Sequence, residues 1–333
     1  MFRSESEFVR WLQRSSPRPG ARLLLGIGDD AALVRVAGGN DLVLTTDLSI
    51  EGVHFLRAVH TARSIGHRAL ARSLSDIAAV GGTPRFALVS LAISKQANRA
   101  WLEEFYTGLT ALAKRFGVAV IGGDTAVVPE RAGVDVVVAG EVRRGRALLR
   151  SGAQPGEQIF VSGRLGLSAL GLRLLLSCRP GLRRSALSAQ ALAAHLYPLP
   201  QCVLGRYLSE KRLASALIDI SDGLSTDLAH LCESSGVGAR ISQGLIPGPR
   251  LSAWPKSLGI SPLELALHGG EDYQLLFTVP TTKASSVPRK FRGVSLSRIG
   301  EITRARELVL VRADGRPEPL RPCGYNHFRK WTA

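Results

Sequence analysis

Apolar positions along the chain recur in two rhythms. From Thr61 to Val80, the residues Ile65, Ala69, Leu70, Leu74, Ile77 and Val80 fall mostly three to five apart, which predicts a helix with one face in a core. Trp101, Phe105, Leu109, Leu112 and Phe116 repeat the spacing and predict a second core-facing helix. Around these lie short runs rich in Val, Ile and Leu, at Leu42–Thr46, Phe86–Ile93, Val118–Ile121 and Val134–Val142, which predict strands. Strands and helices alternating in this way predict an α/β layer packing. After Glu141 comes RRGRALLRSGAQPGE, basic and then punctuated by Gly and Pro, which reads as a junction between an N-terminal domain over 1–145 and a C-terminal domain over 146–333.

The second half predicts a strand at Gln158–Ser162, a helix at Leu167–Leu176, a loop over Cys178–Ser188 and a helix around Leu192–Leu196. A further helix is expected over Asp222–Glu233, strands over Tyr273–Val279 and Glu307–Val311, and an exposed loop over Gln243–Gly259, which carries three prolines. At the start, Ser4 and Glu7 make a capping box ahead of an amphipathic helix with Phe8, Val9, Trp11 and Leu12. No internal repeat of fixed period is present.

Length and composition narrow this picture. A chain of 333 residues with 45% apolar and 6% aromatic content suits two α/β domains. The longest apolar stretch, Phe86–Ile93, is far short of the roughly 18 residues a membrane span needs. Acids occupy the N-terminal stretch where a signal peptide would be apolar, so the expected location is the cytoplasm and no membrane partner is expected. Cys178, Cys202, Cys232 and Cys323 show no C-x-x-C spacing, and packed free thiols are expected. A net charge of +16 raises the question of nucleic acid. The arginines are spread, however, with only short clusters at Arg143–Arg150 and Arg179–Arg184, and no binding motif accompanies them. The expected partners are anionic small molecules, not nucleic acid.

The segment GIGDDAALV, Gly26 to Val34, satisfies the glycine spacing of a dinucleotide-binding turn. Such a turn needs a following helix, yet AALV runs within a few residues into AGGND, which predicts a hairpin. Asp29 and Asp30 would also repel the phosphates that the turn exists to hold. Neighbours in extended chain point to opposite sides, so one acid can face a site while the other binds backbone amides of the turn.

Other acids recur beside glycines and at the ends of apolar segments. Asp47 follows LVLTT, Asp76 lies in an otherwise apolar helix, and Asp124 closes VAVIGGD. Asp219 and Asp222 flank a strand-to-helix transition, where Asp222 before Gly223 also fits a helix N-cap. Glu271 and Asp272 follow His268-Gly269-Gly270. Carboxylates gathered at one place repel each other and any anion, and bound divalent cations reverse that field. Hard oxygen ligands favour Mg²⁺, which is commonly shared with substrate phosphates, so the pattern predicts a nucleoside triphosphate site. No G-x-x-x-x-G-K-[ST] and no kinase catalytic loop occurs in the chain. Metals must then do the work of a P-loop lysine.

GIGDDAALV, TTDLSIEGVHF, LSDIAAVGGTP, VIGGDTA, RSGAQPGE, IDISDGLSTDL, HGGEDYQLLFT and GYNHF together resemble, in order, the motifs of the thiamine-monophosphate kinase family, within the aminoimidazole ribonucleotide synthetase superfamily. The resemblance runs from Gly26 to Phe328, and EGVHF and GGEDYQLLFT distinguish this family from its superfamily relatives. It implies an α/β (α+β) fold of two domains, with an N-terminal sheet-forming dimerisation domain and a C-terminal α/β domain. It also implies transfer of the γ-phosphoryl of ATP to thiamine monophosphate in a homodimer, with several Mg²⁺ ions and no covalent nucleophile. Carried over by motif position, Asp30, Thr45, Thr46, Asp47, Asp76, Asp124, Asp219 and Asp222 are implied metal ligands, with Asp29 structural. Gly123, Asp124, Arg150, Ser221 and Tyr106 are implied ATP contacts, and His54, Glu271 and Tyr325 contacts of thiamine monophosphate. Asn326 departs from the family's usual GYDHF, which bears on how Tyr325 is anchored. The competing readings are a superfamily synthetase acting on aminoimidazole ribonucleotide, formylglycinamidine ribonucleotide or selenophosphate, or a non-catalytic nucleotide-binding protein on the same fold. The selenophosphate enzyme's early cysteine is absent, the first cysteine here being Cys178.

Overall fold

A computed structural model describes residues 23–25, 29–36, 38–177, 185–249, 259 and 261–325. The expected N-terminal helix, Gly26, Gly28, Cys178 and Asn326 lie outside the described residues. The first sheet has six strands in the order β1 (Leu23–Leu25), β2 (Ala32–Arg35), β3 (Asn40–Ile50), β6 (Gly133–Arg143), β4 (Thr83–Ser94) and β5 (Ala119–Val128). All neighbours are antiparallel except the β4–β5 pair. GIGDDAALV thus leads into a β2–β3 hairpin, as its turn residues predict.

The helix expected from Thr61 to Val80 is α1 (Ala62–Ala79), with the Thr61 hydroxyl accepting the Ser64 N–H at its N-terminus. It is buried on nearly every side. One flank faces the first sheet and the second helix, α2 (Arg99–Phe116). The other faces the C-terminal half. A helix so enclosed belongs to the interior, and α1 is the beam on which both halves rest.

The C-terminal half contributes β7 (Gln158–Ser162), α3 (Leu167–Leu176), α4 (Ala186–Leu196), α5 (Cys202–Glu210), β8 (Ala216–Ile220), α6 (Leu224–Ser235), β9 (Gly238–Ser242) and α7 (Pro262–His268). It continues through β10 (Gln274–Val279), β11 (Lys290–Phe291), β12 (Val294–Thr303), β13 (Leu308–Val311) and β14 (Pro317–Pro319). Its eight-stranded sheet runs β14-β13-β9-β12-β7-β10-β8, with β11 paired to β12. Side chains alternate across this sheet. Phe160, Leu217, Leu275 and Phe277 join the core around α1, while Ile159, Val161, Ile218 and Leu276 join a second core that includes Leu224 and Leu228 of α6. Asp219 follows Leu217 by two residues on β8 and therefore points at α1.

Some boundaries differ from the sequence reading. Asp124 does not close a strand; β5 continues through Gly122-Gly123 to Val128. Gly123, at φ +154°, allows this, because a Cβ there would stand 1.9 Å from the Val89 carbonyl oxygen. Asp222 is not a helix N-cap. Gly223 holds that position, and the carboxylate of Asp227 accepts the N–H groups of both Asp222 and Gly223. α4 begins at Ala186, six residues before the expected Leu192, because Ser185 caps it. No described helix is long and apolar enough to cross a membrane.

Candidate active site

A cleft of about 820 Å³ lies where α1 meets the C-terminal sheet. Three chain segments send carboxylates toward it: Asp30 before β2, Asp76 on α1 and Asp219 on β8. One oxygen from each lies within 4.8 Å of the others. Asp30 and Asp219 are buried and Asp76 half-buried. Burial raises the pKa of Asp76 well above the ordinary range, and the charges of Asp219, Asp47 and Asp30 add to it. Burial does the same to Asp219, again with Asp30 adding. Such crowding costs stability unless positive charge arrives.

Asp29 turns away, as the alternation of extended chain requires. Its two oxygens accept the backbone N–H of Asp30 at 2.9 Å and of Arg150 at 3.1 Å. Burial and the neighbouring Asp30 push its pKa up to about 6. Ser75 donates to Asp219 at 2.6 Å, and Thr45 donates to Asp76, so hydroxyls complete the group. The Arg150 guanidinium forks onto Asp30 at 2.9 and 3.1 Å.

Asp47 also lines the cleft, paired with Arg72 at 2.7 Å. Farther along, His54, Glu271, Tyr273 and Tyr325 border the same space, with Ser221 beside Glu271 and Asp222 beside Tyr325. The turn that carries Glu271 is tightly fixed. Glu271 and Tyr273 adopt positive φ values of 63° and 48°, which non-glycine residues rarely take. Glu271 donates its N–H to the Ser221 carbonyl at 2.7 Å, and Tyr273 to that of Ile220 at 2.9 Å. Gly270 must be glycine here, since a Cβ would meet the Ser221 carbonyl oxygen at 2.4 Å. Backbone held off its preferred conformation by surrounding bonds is a mark of functional sites.

The comparisons with known proteins agree with this geometry. Residues 28–142 match the family described as AIR synthase related protein, N-terminal domain, and residues 154–312 its C-terminal domain. The chain is 38% identical to thiamine-monophosphate kinase of Escherichia coli (strain K12), covering 91% of this chain and 92% of the relative. It is 36% identical to thiamine-monophosphate kinase of Bacillus subtilis (strain 168), covering 92% and 94%. The chain belongs to the thiamine-monophosphate kinase family. A solved structure of that family, AaThiL complexed with AMPPCP and TMP, superimposes with a TM-score of 0.84 at 32% identity over 97% of both chains. Both AIR synthase related domains and the two sheets expected of the family are therefore present.

Not every residue implied by the thiamine-monophosphate kinase motifs reaches the cleft. Thr46 does border the cleft, but next to Thr45 on β3 its hydroxyl points to the opposite sheet face and donates to Asp135 at 2.7 Å, away from the three clustered carboxylates. Gly123 and Asp124 stand exposed on the edge strand β5, and Asp124 lines a separate hollow of about 420 Å³ with Ser90, Leu48 and Asp135. Tyr106 packs edge-on against Phe105 at the margin of the core. Within one chain, Thr46, Gly123, Asp124 and Tyr106 are not part of the acidic cluster.

Several cleft residues escaped the sequence reading: Arg72, Asp227, His195, His60 and Tyr273. A signal existed for some of them. Arg68, Arg72 and Asp76 follow each other at four-residue steps in a helix whose other buried positions are small or apolar, so three charges share one interior face.

Proposed function

We propose that this protein transfers the γ-phosphoryl group of ATP to thiamine monophosphate, giving thiamine diphosphate and ADP. The observation that carries the reading is the convergence of Asp30, Asp76 and Asp219, the last two lining a cleft that also holds His54, Glu271 and Tyr325. Its relatives named thiamine-monophosphate kinase, and the related structure containing AMPPCP and TMP, support the same substrates.

The donor set fits magnesium. It is all oxygen, partly buried and over-supplied with negative charge, which suits a hard divalent cation. Asp30, Asp76 and Asp219 would hold such ions, with Asp47, Asp222 and the Thr45 hydroxyl at the margin. When bound, magnesium neutralises charge on the transferred group and on the oxygens either side of it. The chain's own groups do the rest. Arg150, already drawn to Asp30, offers a planar guanidinium to a phosphate oxygen. Ser221 contributes to ATP binding at the β8–α6 turn. His54, Glu271 and Tyr325 orient the acceptor. That acceptor is itself a phosphate monoester with a second pKa near about 6, so its oxygen is charged at neutral pH and needs no side-chain base. Catalysis by positioning and electrostatics follows, with direct transfer and no phospho-enzyme.

We further propose a homodimer formed through the outer face of the first sheet. Leu48, Phe86, Leu88 and Ile121 are exposed on β3, β4 and β5, an apolar patch of the kind that partners cover. Gly123 and Asp124 stand on β5 at that margin and the Thr46 hydroxyl points to the same outer face, so their ATP and metal contacts are made near the subunit boundary. The domain boundary is placed at 145/146 and the location in the cytoplasm.

Incubation of the purified protein with ATP, Mg²⁺ and thiamine monophosphate should yield equal amounts of ADP and thiamine diphosphate, resolved by chromatography. ADP without thiamine diphosphate would overturn the choice of acceptor, and a labelled phosphate retained covalently on the protein after ATP alone would overturn direct transfer.

A further inference from the structure

Arg68 lies behind the cleft wall and is only 4% exposed. Its guanidinium reaches three separated pieces of chain. One nitrogen, Nη2, donates to Glu271 Oε1 at 2.6 Å and to the His54 carbonyl at 3.3 Å. The other, Nη1, donates to the His195 carbonyl at 2.5 Å and meets His195 Nδ1 at 3.3 Å. His195 sits on α4, His54 follows β3 and Glu271 precedes β10. One planar cation therefore ties together both acceptor-end residues and the helix packed behind them. Lysine, with one nitrogen, could not span all three.

We propose that Arg68 is the positioning residue of the acceptor end of the cleft, fixing Glu271 and the His54 segment in the arrangement that receives the phosphorylated acceptor. This rests on the reading of function given above.

The bonding around it has a consistent direction. Guanidinium only donates, so His195 Nδ1 accepts and its proton lies on Nε2. That proton is directed at His60 Nε2, 2.9 Å away, and His60 Nδ1 in turn lies 3.1 Å from both the carbonyl oxygen and the N–H nitrogen of Leu56. Both imidazoles are neutral, with burial first and then the Arg68 charge holding their pKa values down, that of His195 to about 3. The chain of bonds thus passes from Glu271 through Arg68, His195 and His60 into the segment that carries His54. Without Arg68, His195 Nδ1 would keep only the Ser168 hydroxyl at 3.1 Å, and the Glu271 carboxylate, 3.6 Å from that nitrogen, would lose its 2.6 Å partner and shift toward Arg72, now 3.7 Å away. Asp30, Asp76 and Asp219 make none of these bonds, so loss of Arg68 falls first on the acceptor end.

The test compares wild type, Arg68→Met and Arg68→Lys by calorimetric binding of thiamine monophosphate and by separate KM values for each substrate. Arg68→Met is expected to weaken acceptor binding and raise its KM by about thirtyfold, with the KM for ATP changed less than about twofold. Arg68→Lys should fall between, about fivefold, because charge is kept and the fork is lost. If Arg68→Met fails to fold, Arg68→Lys alone decides by the same split between the two KM values. Equal changes in both KM values, or wild-type binding in a variant, would overturn the role of Arg68 alone. Failure of the wild type to bind thiamine monophosphate would overturn the functional reading and this proposal with it.

Discussion

Replacing Asp219 with Asn is expected to lower turnover by at least about a hundredfold while leaving the metal-free protein as stable as wild type or more so. The two halves of this expectation share one cause. Asp219 is buried beside Asp30 and Asp76, with only Ser75 and the more distant Arg150 offsetting its charge. In the absence of metal, its charge is a burden on the fold, and its raised pKa records that burden. Because the folded pKa lies well above the unfolded value of about 3.9, the stability of the metal-free protein falls as pH rises from there up to the raised folded pKa. The Asn variant loses less over that range. With Mg²⁺ present the order reverses, because wild type gains binding energy that the variant lacks. Thermal unfolding with and without Mg²⁺, alongside turnover, checks both halves. A variant that turned over at near-normal rate would remove Asp219 from the site.

The second large effect falls on the fold, at a point where packing and site meet. Gly66→Ala is expected to destabilise the protein by about 3 kcal/mol, measured by denaturant unfolding. α1 and α2 touch backbone to backbone: a Cβ on Gly66 would lie 2.0 Å from the Phe105 carbonyl oxygen, and one on Gly108 would lie 1.9 Å from that of Arg63. On the other flank, a Cβ on Gly205 of α5 would lie 2.0 Å from the Ala78 carbonyl oxygen. Helices this close cannot admit a methyl group without separating, and separation reopens a core of Ile65, Leu70, Phe105 and Leu109, all at most 2% exposed. α1 also carries Arg68, Arg72 and Asp76, so what remains folded should show weakened substrate binding too. A change below about 0.5 kcal/mol would mean that α1 is not the close-packed beam described here.

How much of this could be read in the sequence depended on how local the cause was. α1 was legible almost to the residue, because Thr61 caps it and its apolar spacing has one period throughout. The β2–β3 hairpin was legible from AGGND, and the opposite facing of Asp29 and Asp30 from strand alternation alone. β5 was not, because Gly122-Gly123 reads as a stop signal; its strand character comes from pairing with β4, where only a glycine can lie over Val89. Asp222 looked like a cap for the same reason of locality, while the capping acid, Asp227, reaches back from inside the helix. Candidate acids were visible as carboxylates beside glycines. Their convergence was not, since it needs α1 and β8 to face each other, which is a tertiary fact. Arg68 and Arg72 were hidden because arginine on a helix ordinarily faces water. Thr46 shows the converse limit, as a motif names both threonines and a strand turns only the Thr45 hydroxyl to the acidic cluster.

The claim beneath all of this is that carboxylates from distant segments form one polyanion receptor only when loaded with divalent cations. Equilibrium dialysis of a non-hydrolysable ATP analogue against the purified protein, with Mg²⁺ and then with a chelator, tests it most directly. Saturable binding with Mg²⁺ and none measurable after chelation is the result expected of such a receptor. Equal affinity under both conditions would contradict it.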